Sequence, residues 1–223
     1  MRSLNSNKEI FTRDGYIQFP SAVPDDLRLR CVKELLEDTT VRHGDGNADG
    51  FYWRSPLAEE FRAWFREFIA GLELDIFGES DFSTFNRSVG DRMYWHCDTD
   101  GGDPNYGRRV FCCAYLTPTT DGRGPLVVIP GSHVSRDYDT LRARVRKFRI
   151  ETSDPNPATC KHLLIDFPDL LDPLEGQCAI EMPAGTVLVA DERLIHSVAI
   201  NNGPGRRVMV MWWRWKPILY PNE

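Results

Sequence analysis

The sequence predicts a mainly β fold, a jelly roll buttressed by helices, and three observations carry that expectation. From about residue 74 the chain breaks into short apolar segments at 82–87, 91–96, 109–117, 125–129, 177–181, 186–190, 194–200 and 206–215. Gly, Pro and Asp separate many of them, the texture of a sandwich or barrel. The strongest helix-period patterns gather before that point, so helices flank the strands instead of alternating with them. At 223 residues with 41% hydrophobic side chains, the chain suits one domain with a proper core.

Taken in order, residues 1–8 are polar and read as frayed. Phe11 to Pro20 reads as a helix end, a break at Gly15 and a strand carrying Tyr16, Ile17 and Phe19. Pro24 opens a helix with Asp25 and Asp26 in its first turn, where the helix dipole favours them. Its apolar stripe is Leu27, Cys31, Leu35 and Leu36. Residues 42–50 are a loop by composition. From Leu57 to Leu72, the residues Leu57, Phe61, Trp64, Phe65, Phe68, Ile69 and Leu72 recur at three- and four-residue steps, the core face of a helix. Residues 1–73 are thus expected to be mostly helical support, with 74–133 and 177–216 the jelly-roll core. Between them, 134–176 reads as an insert near the active-site mouth, with an arginine-rich helix at 137–149 and a Pro-laden irregular stretch after it.

Composition narrows the function. A formal charge of −6 argues against nucleic acid, whose binders carry a basic surface. No apolar run has membrane-spanning length, and Met1 to Lys8 lack the apolar centre of a signal peptide. The six cysteines form no C-x-x-C pair, and adjacent Cys112 and Cys113 suit a disulfide framework poorly. Free thiols and a cytoplasmic location are expected.

The stretch that carries chemistry is Trp95-His96-Cys97-Asp98, read together with His196, 100 residues after His96. On an extended strand, i and i+2 share a face, so His96 and Asp98 would look into one pocket and Cys97 away from it. Two histidines and one carboxylate form the facial ligand set that suits non-haem Fe(II) and leaves positions open. After His196 the chain turns through Asn201-Asn202-Gly203-Pro204-Gly205 into Arg206-Arg207-Val208. An arginine at the start of that returning strand could face the pocket and pair bidentately with a carboxylate. Strand alternation allows only one of Arg206 and Arg207 to do so. No H-x-H pair of the kind expected of a cupin isomerase is present.

These residues resemble the Fe(II)/2-oxoglutarate-dependent dioxygenases, and within them the phytanoyl-CoA dioxygenase-like group. Phe11-Thr12-Arg13-Asp14-Gly15-Tyr16 is similar to that group's F-x-x-D-G-Y opening, and Trp95 to Asp98 to its W-H-x-D motif. Gly124 to His133 resembles its G-P-L-x-x-x-P-G-S-H segment. His196, Asn201 and Arg207 match its distal His, Asn and oxoglutarate-binding Arg. The resemblance implies a double-stranded β-helix, cupin-like core with iron held by His96, Asp98 and His196. Arg207 would bind the distal carboxylate of 2-oxoglutarate. O2 would be the second cosubstrate, succinate and CO2 co-products, and a small organic molecule, possibly anionic, the substrate. Because Asp98 keeps the carboxylate that related halogenases lack, hydroxylation or another oxidation is expected.

Asn86, Arg109, Tyr115 and Ser197 are further candidates for the 2-oxoglutarate site, with Tyr94 as another pocket residue. His133, next to the Pro130-Gly131-Ser132 turn, reads as structural. Arg136, Arg142, Arg144, Arg146, Lys147 and Arg149 are either a solvated helix face or a docking surface. The docking reading motivates an alternative, an oxygenase acting on a carrier-bound acyl group or a protein side chain. A non-catalytic jelly-roll binding protein is the third reading. The sequence carries no sign of oligomeric state.

Overall fold

The computed structural model describes residues 4–38, 42–43, 50–74, 76, 83–87, 92–98, 109–120, 122–152, 168–203, 205 and 207–215. Within them run α1 (Leu4–Asp14), β1 (Tyr16–Phe19), α2 (Asp25–Glu37), β2 (Arg42–His43), β3 (Gly50–Trp53), α3 (Pro56–Ala70), β4 (Ser83–Arg87) and β5 (Met93–His96). β6 (Arg109–Tyr115), β7 (Leu126–Val128), α4 (Asp139–Thr152), β8 (Cys178–Ile180), β9 (Thr186–Asp191), β10 (His196–Val198) and β11 (Arg207–Trp215) follow. The strands form two antiparallel sheets, a large one ordered β1-β9-β6-β11-β4-β3-β2 and a small one ordered β5-β10-β7-β8. This is the helix-flanked jelly roll that the segment pattern predicts.

Two expectations need correction. The first helix begins at Leu4, inside the stretch read as frayed. The 42–50 stretch, read as a loop, also holds β2 and the start of β3. β1 pairs with β9 at one end of the large sheet, and β2 and β3 extend the other end beyond β4. The polar 42–50 stretch hid those last two strands, and 44–49 lie outside the described residues.

Strand alternation divides the large sheet into two faces with different jobs. Val110, Cys112 and Ala114 of β6, Val187 and Val189 of β9, and Val208, Val210 and Trp212 of β11 face the helices. There they meet Leu27, Cys31 and Leu35 of α2 and Phe61, Phe65 and Ile69 of α3. Helix α3 starts cleanly because Ser55 accepts a hydrogen bond from the Ala58 amide (3.0 Å) and Pro56 needs no donor partner. Its Phe65 packs on Trp212 with ring centroids 5.4 Å apart. Burial pushes the Cys31 thiol in this core up to about 12. Phe111, Cys113, Tyr115, Leu188 and Met209 point the other way, toward Leu126, Val128 and Val198 of the small sheet.

The outer face of the small sheet is covered by the segment expected near the mouth. Val127, Trp95 and Ile195 pack with Leu141 of α4, and Tyr94 stacks edge-on against Phe148 at 4.7 Å. The described part of 134–176 therefore lies behind the small sheet; 153–167 lie outside the described residues. Its arginine cluster is also dispersed. Arg142 is buried, donating to the Ser132 and Ser135 carbonyls and to Asp139. Arg144 pairs with Asp169. The Arg149 side chain is outside the described residues.

The F-x-x-D-G-Y and P-G-S-H segments meet in space. The Gly131 amide donates to the Asp14 carbonyl (2.9 Å), and His133 Nε2 bonds the Thr12 carbonyl (3.2 Å). Gly15 sits at φ +81°, and a Cβ there would lie 2.5 Å from His133 Nδ1. Backbone conformation and a ring in the way both demand glycine. His133 is thus a docking residue for the N-terminal segment, as its place beside a turn implies.

Gly15→Ala is therefore expected to lower unfolding stability by more than the roughly 1–2 kcal/mol of a left-handed backbone alone. Adding His133→Ala should return the clash part of the loss but not the backbone part, measurable as a coupling energy in urea titrations of both single variants and the double.

Candidate metal and cosubstrate site

The site is built across the pairing of β5 and β10, in which His196 stands directly opposite His96. The rings lie 4.2 Å apart between centroids. The next matched pair is Val198 with Met93, so two steps on β10 span three on β5. This bulge breaks strict alternation, as bulges beside functional sites often do, and it lets both Met93 and His96 line one cavity. Asp98 follows two residues after His96, past the strand end, and turns its carboxylate to the same side. Cys97 faces away, into the cluster of Trp95, Val127 and Ile195.

Both histidines are oriented by the same device. His96 Nδ1 lies 2.8 Å from the Tyr94 carbonyl and His196 Nδ1 lies 2.9 Å from the Leu194 carbonyl. A carbonyl only accepts, so each Nδ1 carries the proton and each Nε2 turns a lone pair into the cavity. Such a tether on the remote nitrogen is what metal-ligating imidazoles normally show. Asp98 Oδ1 is 3.8 Å from His96 Nε2 and 3.9 Å from His196 Nε2. All three ligand atoms lie within 4.8 Å of one another. These gaps are too wide for hydrogen bonds. Ligands about 2.0–2.2 Å from a shared ion can stand up to about 4.4 Å apart, so the two gaps suit atoms with an ion between them. Nitrogen–oxygen donors of this kind fit a ferrous ion.

Around them lies a cavity of about 170 Å³ lined also by Phe111, Cys113, Tyr115, Leu126, Arg207, Met209 and Met211. It is smaller than the roughly 300–1,000 Å³ of sites for drug-sized ligands. Arg207 is buried, and its Nη1 donates to the Gly124 carbonyl. Its guanidinium carbon stands 5.9 Å from the centre of the Tyr115 ring. Burial pushes the Cys113 thiol well up, with Cys112 and Asp98 adding to the shift. It is therefore a neutral wall of the cavity.

Strand alternation brings Arg207, Met209 and Met211 inward together; Arg206 lies outside the described residues. Of the other candidates, Tyr115 reaches the cavity, while Ser197 and Arg109 do not. Ser197 is one step from His196 and lines a separate cavity behind the small sheet, with Trp95, Val127 and Leu171. Arg109 turns to Glu192, its Nε 2.8 Å from Oε2. Tyr94 faces α4. The Asn86 side chain and residues 99–108 lie outside the described residues. Asn201 holds the turn before β11, accepting from the Gly203 amide (3.2 Å) and donating to the Gly205 carbonyl (3.1 Å). The apolar lining escaped sequence reasoning, apart from one signal. Met209 and Met211 share the parity of Arg207. Among the described residues no helix is long and apolar enough to cross a membrane.

The sequence profile of the phytanoyl-CoA dioxygenase (PhyH) family matches residues 11–209. No curated protein matches the chain. HygX from Streptomyces hygroscopicus, solved with nickel and 2-oxoglutarate bound, aligns over 95% of this chain and 86% of its own, with TM-score 0.69 and 17% identity. The carbocyclase SnoK from nogalamycin biosynthesis aligns over 95% and 83%, with TM-score 0.64 and 16% identity. The epimerase SnoN from the same biosynthesis aligns over 97% and 86%, with TM-score 0.59 and 15% identity. At these identities the likeness is one of fold.

A divalent probe such as Ni2+, at 100 times its Kd, is expected to stabilise the protein by about 2.7 kcal/mol. Asp98→Ala should remove most of that gain. An equal rise in Tm for the variant in a metal-dependent thermal scan would count against Asp98 as a ligand.

Proposed function

This chain belongs to the phytanoyl-CoA dioxygenase family, non-haem iron enzymes that use 2-oxoglutarate, and we propose that it oxidises a C–H bond of a small organic molecule. The observation that carries the reading is the union, in one small cavity, of two Nε2 lone pairs, one carboxylate and a buried arginine. His96, Asp98 and His196 hold Fe(II). Two neutral imidazoles and one carboxylate leave the ion a net positive charge, which favours a dianionic cosubstrate. Arg207 receives the far carboxylate of 2-oxoglutarate through its planar fork. The Gly124 carbonyl fixes the direction of that fork, and the Tyr115 ring bounds it. Met93, Phe111, Leu126, Met209 and Met211 exclude water around the reacting centre.

Bound together, iron and 2-oxoglutarate supply the activation of O2, with substrate, 2-oxoglutarate and O2 converted to hydroxylated product, succinate and CO2. The residues orient these partners and shield them. HygX has been solved with hygromycin B bound, and SnoK and SnoN carry out ring closure and epimerisation. These support a small-molecule substrate and an oxidation whose outcome need not be an alcohol. The carrier-bound or protein-bound alternative draws on the 42–50 loop and the arginine helix as a docking face; Arg142 and Arg144 of that helix are engaged within the fold.

Anaerobic addition of Fe(II) and 2-oxoglutarate should give the weak visible charge-transfer band of the chelate, and His96→Ala should lack it. A protein that demonstrably binds the metal yet shows no band refutes the function. Arg207→Ala should weaken 2-oxoglutarate by about 1.5–3 kcal/mol, on the order of ten- to a hundredfold in KM. Gly124→Ala, at φ +69° with a Cβ 2.9 Å from the Ala199 carbonyl, should raise the same KM while leaving metal affinity in place. Both are read from succinate formation against 2-oxoglutarate concentration.

A further inference from the structure

We propose that Glu192 is a positioning residue that sets the Asp98 ligand through its backbone carbonyl and is itself locked by Arg109; this rests on the assignment of Asp98 to the metal. Asp98 lies beyond the end of β5, where the ladder no longer fixes the backbone. Its amide donates instead to the Glu192 carbonyl at 2.9 Å. Glu192 is fully buried, and its carboxylate is spent on one neighbour. Oε2 takes Arg109 Nε at 2.8 Å and Oε1 takes the Arg109 amide at 3.2 Å. The Glu192 amide completes the ring by donating to the Arg109 carbonyl at 3.3 Å. One residue thus joins positions 98 and 109.

The neighbours of Glu192 stiffen the same turn. Arg193 bonds Asp191 through its backbone amide (3.0 Å), Nε (3.0 Å) and Nη2 (2.9 Å), with both side chains buried. Leu194, whose carbonyl orients His196, closes the turn by donating to the Asp191 carbonyl at 3.0 Å. The turn 191–194 therefore supplies the carbonyls that set two of the three ligands. A buried ion pair is a costly route to stability, since an apolar pair often does as well. What it adds is direction. The two-point grip on Arg109 fixes where the Glu192 carbonyl points, and that in turn fixes Asp98.

The test is anaerobic titration with Co(II), reading Kd and the visible ligand-field spectrum of wild type, His96→Ala, Glu192→Gln, Arg109→Gln and the Glu192→Gln/Arg109→Gln double variant, with circular dichroism on each. Each single change is expected to weaken Co(II) ten- to a hundredfold, in the range typical for partners of metal ligands, and to alter the spectrum. The double variant, whose amide pair keeps a hydrogen bond without a buried charge, should recover most of both. Arg109 reaches solvent, so Arg109→Gln keeps the test decisive even if Glu192→Gln does not fold. Folded variants with wild-type Kd and spectrum would overturn the proposal, as would weaker binding with an unaltered spectrum. If His96→Ala binds like wild type, it is the ligand assignment that fails.

Discussion

The antiparallel contact between β5 and β10 is the interaction on which the rest depends. These strands have four and three residues, too few for pairing alone to hold them rigidly. Yet they must keep two imidazoles within one coordination sphere. The structure braces them from several directions. β7 pairs with the far side of β10. Ser132 Oγ accepts the Ile195 amide, and the Ile129 amide reaches the Ile195 carbonyl. Behind the sheet, α4 presses on Tyr94 and Trp95. The histidine tethers then convert backbone position into ring direction.

The large sheet makes this affordable in free energy by separating two tasks. Its helix-facing side is a continuous apolar core, with aromatic contacts along α3 and onto Trp212. Its cavity-facing side is free to carry a buried arginine, a buried thiol and two methionines. A buried guanidinium is expensive unless bonded. Arg207 meets part of that cost through the Gly124 carbonyl. The motif around Gly124 to His133 serves both ends of this arrangement. Its first glycine anchors the arginine, and its last residues dock the N-terminal segment.

The ligand set was legible because metal chemistry restricts residue type and spacing together. His96, Asp98 and His196 are rare in kind among apolar strands, and the turn through Asn201 announced a returning strand. The strands themselves showed because Gly, Pro and Asp punctuate them. The parity of β6 was not legible. Val-Phe-Cys-Cys-Ala-Tyr is apolar on both faces, since one side meets helices and the other a lined cavity. That is why Tyr115 could be named only as one candidate among several, and why Arg109 and Ser197 were named alongside it. The bulge in β5 was equally invisible, because it depends on the partner strand. The partners of the arginines around α4 were not legible for a different reason. Periodicity shows which face a cation occupies but not which carbonyl or carboxylate waits for it.

The 100 residues between His96 and His196 also govern how the protein comes to hold an ion at all. A ribosome adds about 5–20 residues each second, so His96 and Asp98 wait roughly 5–20 s for the strand that completes their set. During that wait the nascent chain has a two-point fragment, His96 and Asp98, with neither the third ligand, His196, nor the arginine strand behind it. In small zinc modules the metal nucleates folding; here the three ligands come together across the pairing of β5 with β10. The complete ligand set therefore exists only once that pairing has formed.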